Sequence, residues 1–557
     1  MNETQGMVKA AGQIGLYTLL SRVTGLVRDI IIGTVFGAGA ATDSFFVAFR
    51  IPNLLRRVVG EGAAVAAVVP VITAYLSRRS RPETMEMIRA LIGVGLVVLM
   101  LLTAVGMVWA APLAHLFAPG FSPAQLALTT RQLRIMFPYL FFIGLVALAM
   151  GILHALRHFA APAFAPVLLN LMIIFSALVV WLGGTPVPPI FILAYGVVIG
   201  GLCQFLWQLP MLRRLGVPLV PRWNPWHPAI RQMVTLLAPV LLGAAVYQLS
   251  VLLNSLLASL LAEGSVSALW YANRLFEFPQ GIFVVALSSA ALPSLATQAQ
   301  GRDFHGLSES LGFALRLINF VVLPAAFGLT ILAVPICAVL FFHGAFGVSH
   351  VMATAATLQG FAVGLWSVAV GRLLSACLYA LQDTRSPMVT GGVALLVNVG
   401  LSLMLMGKIS ASGPTHGLAG FFAALSESLT VWNLGPAGLA LAASLAATVN
   451  LVLLGVVLVR RLGTFPWTTW FASLAWSLAA SVVMSGPVWW IAHQIEWLDK
   501  SVPLPVRLFV LTAAIAGGAV SFAVVAWPGG KAELRALASM LPQRLLRFLP
   551  QFLQSRG

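Results

Sequence analysis

Between residues 18 and 62, TLLSRVTGLVRDIIIGTVFGAGAATDSFFVAFRIPNLLRRVVGEG, an otherwise membrane-like stretch carries Arg22, Arg28, Asp29, Asp43, Arg50, Arg56, Arg57 and Glu61. Ionisable groups at membrane depth are costly and persist mainly where they face a polar cavity or one another. The excess here is cationic, so the expected guest of such a cavity is an anion. Planar guanidinium forks donate two parallel hydrogen bonds to a phosphate, which makes phosphate the best-matched anion.

Helical spacing sorts these residues. Arg22 and Arg28 lie about 120° apart on the first helix, while Arg22 and Asp29 share a face. Arg28 sits near mid-span, too deep for its side chain to reach the inner surface easily. A cavity-lining role for Arg28 is therefore favoured over a purely structural ion pair. On the second helix Arg50, Asn53 and Arg57 share a face, with Arg56 offset and Arg57 the best candidate for an inner-surface anchor. Pro52 and Gly60-Glu61-Gly62 should bend or break this helix, and irregular backbone at membrane depth is tolerated where it lines a cavity. Glu61 could offset an arginine or serve a proton- or ion-linked step. Far along the chain Tyr271, Asn273, Arg274 and Glu277 form a second polar cluster, with Glu277 at pairing distance from Arg274 and Pro279 just beyond.

The elements that must hold these residues are membrane helices. The 557 residues are 60% hydrophobic and only 8% charged, with a mean hydropathy of +0.97. Apolar runs long enough to span a bilayer recur throughout, so the fold class is an all-α polytopic membrane protein with no β-barrel alternation. About fourteen spans are expected, near 11–36, 44–76, 88–111, 132–155, 163–183, 190–211, 232–260, 268–297, 312–340, 352–380, 387–407, 436–459, 467–493 and 503–527. The net charge of +17 is a matter of topology, with no call for nucleic acid. With the N-terminus inside, the inner segments collect most of the Lys and Arg outside the spans, against Arg131, Lys408 and Lys500 outside. That asymmetry places both termini in the cytoplasm.

An internal duplication organises the spans. FVAFR at 46–50 matches WYANR at 270–274; ALRHFAAP at 155–162 matches ALQDTRSP at 380–387; RRLG at 213–216 matches RRLG at 460–463. The long loop 408–434 accounts for the wider last offset. The expected domains are a six-helix lobe at 1–216, a parallel six-helix lobe at 217–463, two additional helices in 464–527 and a basic cytoplasmic tail at 528–557. Parallel repeats of this kind build transporters with a site at the lobe interface. The tail alternates Leu and Phe with Arg, as suits either an amphipathic helix on the inner leaflet or a solvated basic end.

Several chemistries find no support. Cys203, Cys337 and Cys377 are isolated in apolar segments, and the nine histidines show no ligand spacing, so a metal site is unknown. No P-loop, H-E-x-x-H or G-x-S-x-G is present, which leaves an ATP-driven pump or membrane hydrolase without machinery and implies no cofactor. A scaffold would leave the intramembrane arginines unexplained, and an exporter of cationic drugs should have an acidic cavity.

SRVTGLVRD at 21–29, FGAGAATDSFFVAFRIPNLLRR at 36–57, EGA at 61–63, PAFAP at 162–166 and YANRLFEFPQG at 271–281 resemble the MurJ (MviN) family of bacterial lipid II flippases. The likeness extends over roughly residues 1–530. It implies transport of lipid II, an undecaprenyl-diphosphate-linked disaccharide-pentapeptide, from the inner to the outer leaflet of the cytoplasmic membrane by alternating access. A cationic central cavity would bind the diphosphate through Arg28, Arg56 and Arg274, with Arg22 and Asn53 as further substrate-binding candidates. Asp29, Asp43, Arg50, Glu61, Asn273 and Glu277 fall on other polar positions suited to lining or gating. The last two helices would form a groove for the lipid tail. Asn273 departs from the aspartate common in relatives, which weakens an ion-coupling role there; a proton or monovalent cation remains the implied coupling partner. The alternative is an exporter of another polyprenyl-linked glycan or of a drug in the same superfamily.

Overall fold

The computed structural model describes the backbone of residues 3–56, 64–183, 187–409 and 418–539, and divides into two compact units. Unit 1 is Met1–Ser267 with His343–Phe346 and Ile409–Ala424; unit 2 is Ala268–Phe342, Gly347–Lys408 and Leu425–Gly557. The first unit thus reaches past residue 216 and takes in the helix that the repeat assigns to the second lobe.

Unit 1 holds α1 (Glu3–Phe36), α2 (Ala40–Arg56), α3 (Ala64–Arg78), α4 (Arg81–Val108), α5 (Ala110–Phe117), α6 (Pro123–Met136), α7 (Pro138–Ala155), α8 (Ala160–Trp181), α9 (Pro189–Arg214) and α10 (Pro228–Ser259). Helix α8 packs between α1 and α9, while α2 lies on α6 and α7. Starts follow their capping chemistry: Ser80 caps α4 through the Glu83 amide, and Ser122 with Gln125 forms a capping box on α6. One core of this unit gathers Ile72, Met87, Ile88, Leu153, Leu212 and Ile230 where α3, α4, α7, α9 and α10 converge.

Unit 2 continues with α11 (Ser265–Pro279, whose first turn belongs to unit 1), a π-helical turn at Gln280–Val284, α12 (Val285–Gln300), α13 (Phe304–Ile331), α14 (Ala333–Phe341), α15 (Val348–Val363), α16 (Leu365–Ala380), α17 (Arg385–Leu405), α18 (Leu418–Leu429, shared between the units), α19 (Pro436–Leu462), α20 (Trp467–Ala492), α21 (Leu504–Ala526) and α22 (Lys531–Ser539). Helix α13 is central, against α12, α15, α16 and α20, and α20 pairs with α21.

The two units carry the same backbone punctuation at the repeat offsets. Helix α4 breaks at Trp109 (φ −87, ψ 12) and α13 at Leu332 (φ −90, ψ 11). Each break stands three residues before a proline, Pro112 or Pro335, which can neither donate to nor fit beside the carbonyl four residues back. The sequence reading ran one span through each of these points. Left-handed Arg157 (φ 60) and Gln382 (φ 59) close α7 and α16, with His158 N–H donating to the Leu153 carbonyl and Asp383 N–H to that of Leu378, both at 2.8 Å. Gly216 (φ 74) and Gly463 (φ 72) end the two RRLG segments in the same way.

Nine helices among the described residues are long and apolar enough to cross a membrane, or ten if α15 and α16, bent by 44°, form one span. The expected count of fourteen is not reached on length and composition. Helix α1 carries Arg22, Arg28 and Asp29, and α2, α3, α11 and α12 have 17, 15, 15 and 16 residues, short of the ~20 that cross a bilayer alone. The flanks are lipid-like in character: Leu101, Val108, Val520 and Val524 are all at least 60% exposed.

Candidate functional site

In unit 1, α1 brings Arg28 to the buried side facing α8. Arg28 is 5% exposed and Asp29 fully buried. Although adjacent in sequence, the two pair directly: Arg28 Nε and Nη2 donate to Asp29 Oδ1 at 2.9 and 2.7 Å. Arg28 Nη1 donates to Asn170 Oδ1 at 3.1 Å, and Asn170 Nδ2 returns to α1 through the Ser21 carbonyl (3.0 Å) and Thr24 Oγ1 (3.3 Å). The guanidinium also lies 5.9 Å from the Phe49 ring of α2. In this conformation the charge is neutralised and well supplied with acceptors, as a buried ion must be. Sequence reasoning missed Asn170. Its signal was a lone amide in the apolar run PVLLNLM, but nothing local says that such an amide reaches a residue 142 positions away.

Helix α2 positions the remaining unit 1 candidates. Arg50 and Asn53 are half-buried, as is Arg22 on α1. Pro52 is accommodated inside α2, which continues to Arg56. The Arg56 side chain, Arg57 and Glu61 lie outside the described residues, as do Gly60 and Gly62.

Asp43 sits in the first turn of α2, buried to 1% exposure. Its Oδ2 accepts from the Gly264 N–H at 2.6 Å, and its Oδ1 accepts from the Ser267 N–H (2.8 Å) and hydroxyl (2.6 Å). Ser267 also donates to Thr42 Oγ1 at 3.0 Å. Asp43 therefore caps the start of α11 from another helix, its charge set against free amides and a positive helix end. Gly264 is demanded there: it has φ +88, and a Cβ would stand 2.7 Å from the Ala38 carbonyl oxygen. Ser267 is the residue that the duplication aligns with Asp43, 224 positions on.

In unit 2, α11 presents Asn273, Arg274 and Glu277. Arg274 Nη1 donates to Glu277 Oε2 at 3.3 Å and Asn273 Nδ2 to Glu277 Oε1 at 3.1 Å. Arg274 is 28% exposed and Glu277 32%, so this pair is open where Arg28–Asp29 is closed. An ionised aspartate at 273 could not donate to Glu277; asparagine can. The bend expected at Pro279 appears as the π turn Gln280–Val284 directly after it. The structure thus brings together Arg28 with Asp29 in one unit, and Asn273, Arg274 and Glu277 in the other. No group of three or more metal-ligating side chains occurs among the described residues. A pocket of about 470 Å³ lined by Ile331, Val334, Pro335 and residues 492–497 holds none of the predicted site residues.

The sequence profile of the family described as "Lipid II flippase MurJ" matches residues 32–506. The chain is 34% identical to the "Probable lipid II flippase MurJ" of Vibrio cholerae over 93% of its own length and 95% of the relative's. It is 33% identical to the "Lipid II flippase MurJ" of Burkholderia cenocepacia over 95% and 98%. Among solved structures it resembles "Lipid II flippase MurJ, inward closed conformation", with a TM-score of 0.74 at 22% identity over 93% of this chain and 99% of that one. An inward-facing MATE-family multidrug transporter of the MOP superfamily follows at 0.62 and 15%, over 80% and 94%, a likeness of fold alone.

Proposed function

Since the chain belongs to the MurJ lipid II flippase family, we propose that it moves lipid II from the inner to the outer leaflet of the bacterial cytoplasmic membrane by alternating access. Both termini lie in the cytoplasm in this reading, in line with the arginine-rich inner segments. The observation that supports it most directly is the buried Arg28–Asp29 pair held by Asn170.

A diphosphate is the ligand for which such a pair is suited. Removing Asp29 from Arg28 without replacement would strand a buried cation at a cost of about 3–5 kcal/mol. A phosphate oxygen arriving as the carboxylate leaves replaces one charge-assisted contact by another, each worth about 1.5–3 kcal/mol. Substrate entry and pair opening are then one event. Arg56, Arg274, Arg22 and Asn53 complete the substrate-binding set, and Asp29, Arg50, Glu61, Asn273 and Glu277 tune it. Asp43 acts as a latch between α2 and the start of α11, because its buried carboxylate is satisfied only while Gly264 and Ser267 stay in place. A proton or monovalent cation supplies the coupling.

The test is depletion of the native protein with complementation by variants, followed by the accessibility of lipid II on the outer leaflet. Arg28→Ala, Arg56→Ala and Arg274→Ala are each expected to abolish or severely reduce outer-leaflet lipid II. Full complementation by all three at native expression would remove the diphosphate site.

A further inference from the structure

At the end of unit 2 opposite Arg460 and Arg461, residues 493–503 join α20 to α21. Arg507, one turn into α21, is only 4% exposed. Its Nη2 donates to the Asp499 carbonyl, its Cζ lies 5.4 Å from the Phe342 ring centroid and its Nε has no partner. Lys500 brings a second cation to the same ring, with Nζ at 5.6 Å. The nearby Asp499 carboxylate is engaged elsewhere: Ser501 donates its N–H to Oδ1 at 2.8 Å and its hydroxyl to Oδ2. Those two bonds chiefly hold Asp499 below the usual carboxylate range, with Arg507 a lesser cause.

Three positive features therefore converge, and the nearby Asp499 carboxylate is hydrogen-bonded to Ser501 rather than to them. A guanidinium has five N–H donors, and this buried one gives the protein a single hydrogen bond. An aromatic face attracts a cation but does not neutralise it. The N-terminus of α21 adds partial positive charge, so a cation there stands at the unfavourable end of its helix. Membrane topology does not require cations on this side either, where Lys500 is one of the few expected. Arg28, buried to the same degree, has Asp29 against it.

We propose that Arg507 and Lys500, stacked on Phe342 at the first turn of α21, form a site for a phosphate group carried by an anionic phospholipid headgroup. Exposed Trp489, Trp490 and Phe509 flank the same helix ends at 55%, 63% and 73% exposure, the aromatic composition of a headgroup-level surface. Soluble phosphate shares the chemistry and is separated by experiment.

The full-length protein in neutral detergent is titrated with phosphatidylglycerol, phosphatidylethanolamine or inorganic phosphate while its thermal unfolding midpoint is followed. Phosphatidylglycerol should raise the midpoint more than phosphatidylethanolamine. Lys500→Gln and Arg507→Gln should each shift the half-effect concentration by about tenfold, the loss of one charge-assisted contact. Lys500 is exposed, so its variant folds even where Arg507→Gln does not. A phosphate effect lost in Lys500→Gln, with no headgroup effect, keeps the anion site and assigns it to soluble phosphate. Identical titrations of wild type and Lys500→Gln with both anions overturn it.

Discussion

In unit 1 Arg28 is 5% exposed, bound twice to Asp29 and once to Asn170; in unit 2 Arg274 is 28% exposed and shares Glu277 with Asn273. The two units share backbone features at matching offsets, with breaks at Trp109 and Leu332 and left-handed Arg157 and Gln382. What differs is the side-chain arrangement laid over them. One unit stores its cation in a closed, desolvated pair, and the other leaves its cation accessible. In the proposed reading a substrate anion would meet Arg274 beside Glu277, whereas Arg28 must first exchange its carboxylate.

The sharpest way to break this contrast is to truncate each arginine and measure stability together with transport. Arg28→Ala takes from the buried Asp29 carboxylate its adjacent cation, an expected loss of about 3–5 kcal/mol with loss of function. Arg274→Ala should lose function at a stability cost below about 1 kcal/mol, since partly exposed pairs contribute little. The double variant Arg28→Gln, Asp29→Asn removes the stranded charge and should recover most of the stability without recovering transport. Equal thermal midpoints for the two single variants would show that the closed and open pairs are energetically alike. Arg→Lys should rescue only partly at either position, because ammonium lacks the fork.

Smaller effects come from the partners. Asn170→Leu leaves Arg28 Nη1 without its acceptor, for about 1–3 kcal/mol, whereas Asn273→Leu removes a half-exposed contact and should cost less than about 1 kcal/mol. Asp43→Asn keeps an acceptor for Gly264 but gives up the charge at the α11 N-terminus, for about 0.5–2 kcal/mol. Cysteine cross-linking between positions 42 and 267 should form less readily in that variant if the latch is charge-dependent; an unchanged yield would assign the contact to packing.

How much of this was legible depends on the range of the interaction. Membrane helices, the polar clusters and the duplication are written in runs and spacings a few residues long. The pairing of Glu277 with Arg274 is likewise local. Asn170 and Ser267 were not found, because their partners lie 142 and 224 positions away and the chain between sets the meeting. The same limit hid the breaks at Trp109 and Leu332: a proline three residues on marks a bend only if the helix must otherwise continue. Arg507 falls near the start of the expected span 503–527, and its burial against Phe342 has no sequence signal.

The finest test of the duplication uses the two residues that follow the left-handed closures, His158 and Asp383. Both titrate, and both lie in loops between spans. Partial burial holds the His158 imidazole below its ordinary value of 6.5. The Ser386 hydroxyl and amide, aided by Arg461 at 2.7 Å, hold the Asp383 carboxyl below its ordinary value of 3.8. In each case the unfolded chain binds a proton more readily than the folded one, so stability rises with pH through the window between the two values. The contribution of His158 is complete above 6.5 and is lost as pH falls through its folded value. That of Asp383 is complete above 3.8 and is lost only in stronger acid. One backbone motif thus carries two titrations of the same sign in separate windows. His158→Gln should flatten the slope of thermal midpoint against pH just below 6.5, leaving the acid limb intact. Asp383→Asn should flatten the acid limb alone. If His158→Gln leaves the neutral slope unchanged, burial at that loop is too slight to matter, and only the Asp383 closure carries a titration.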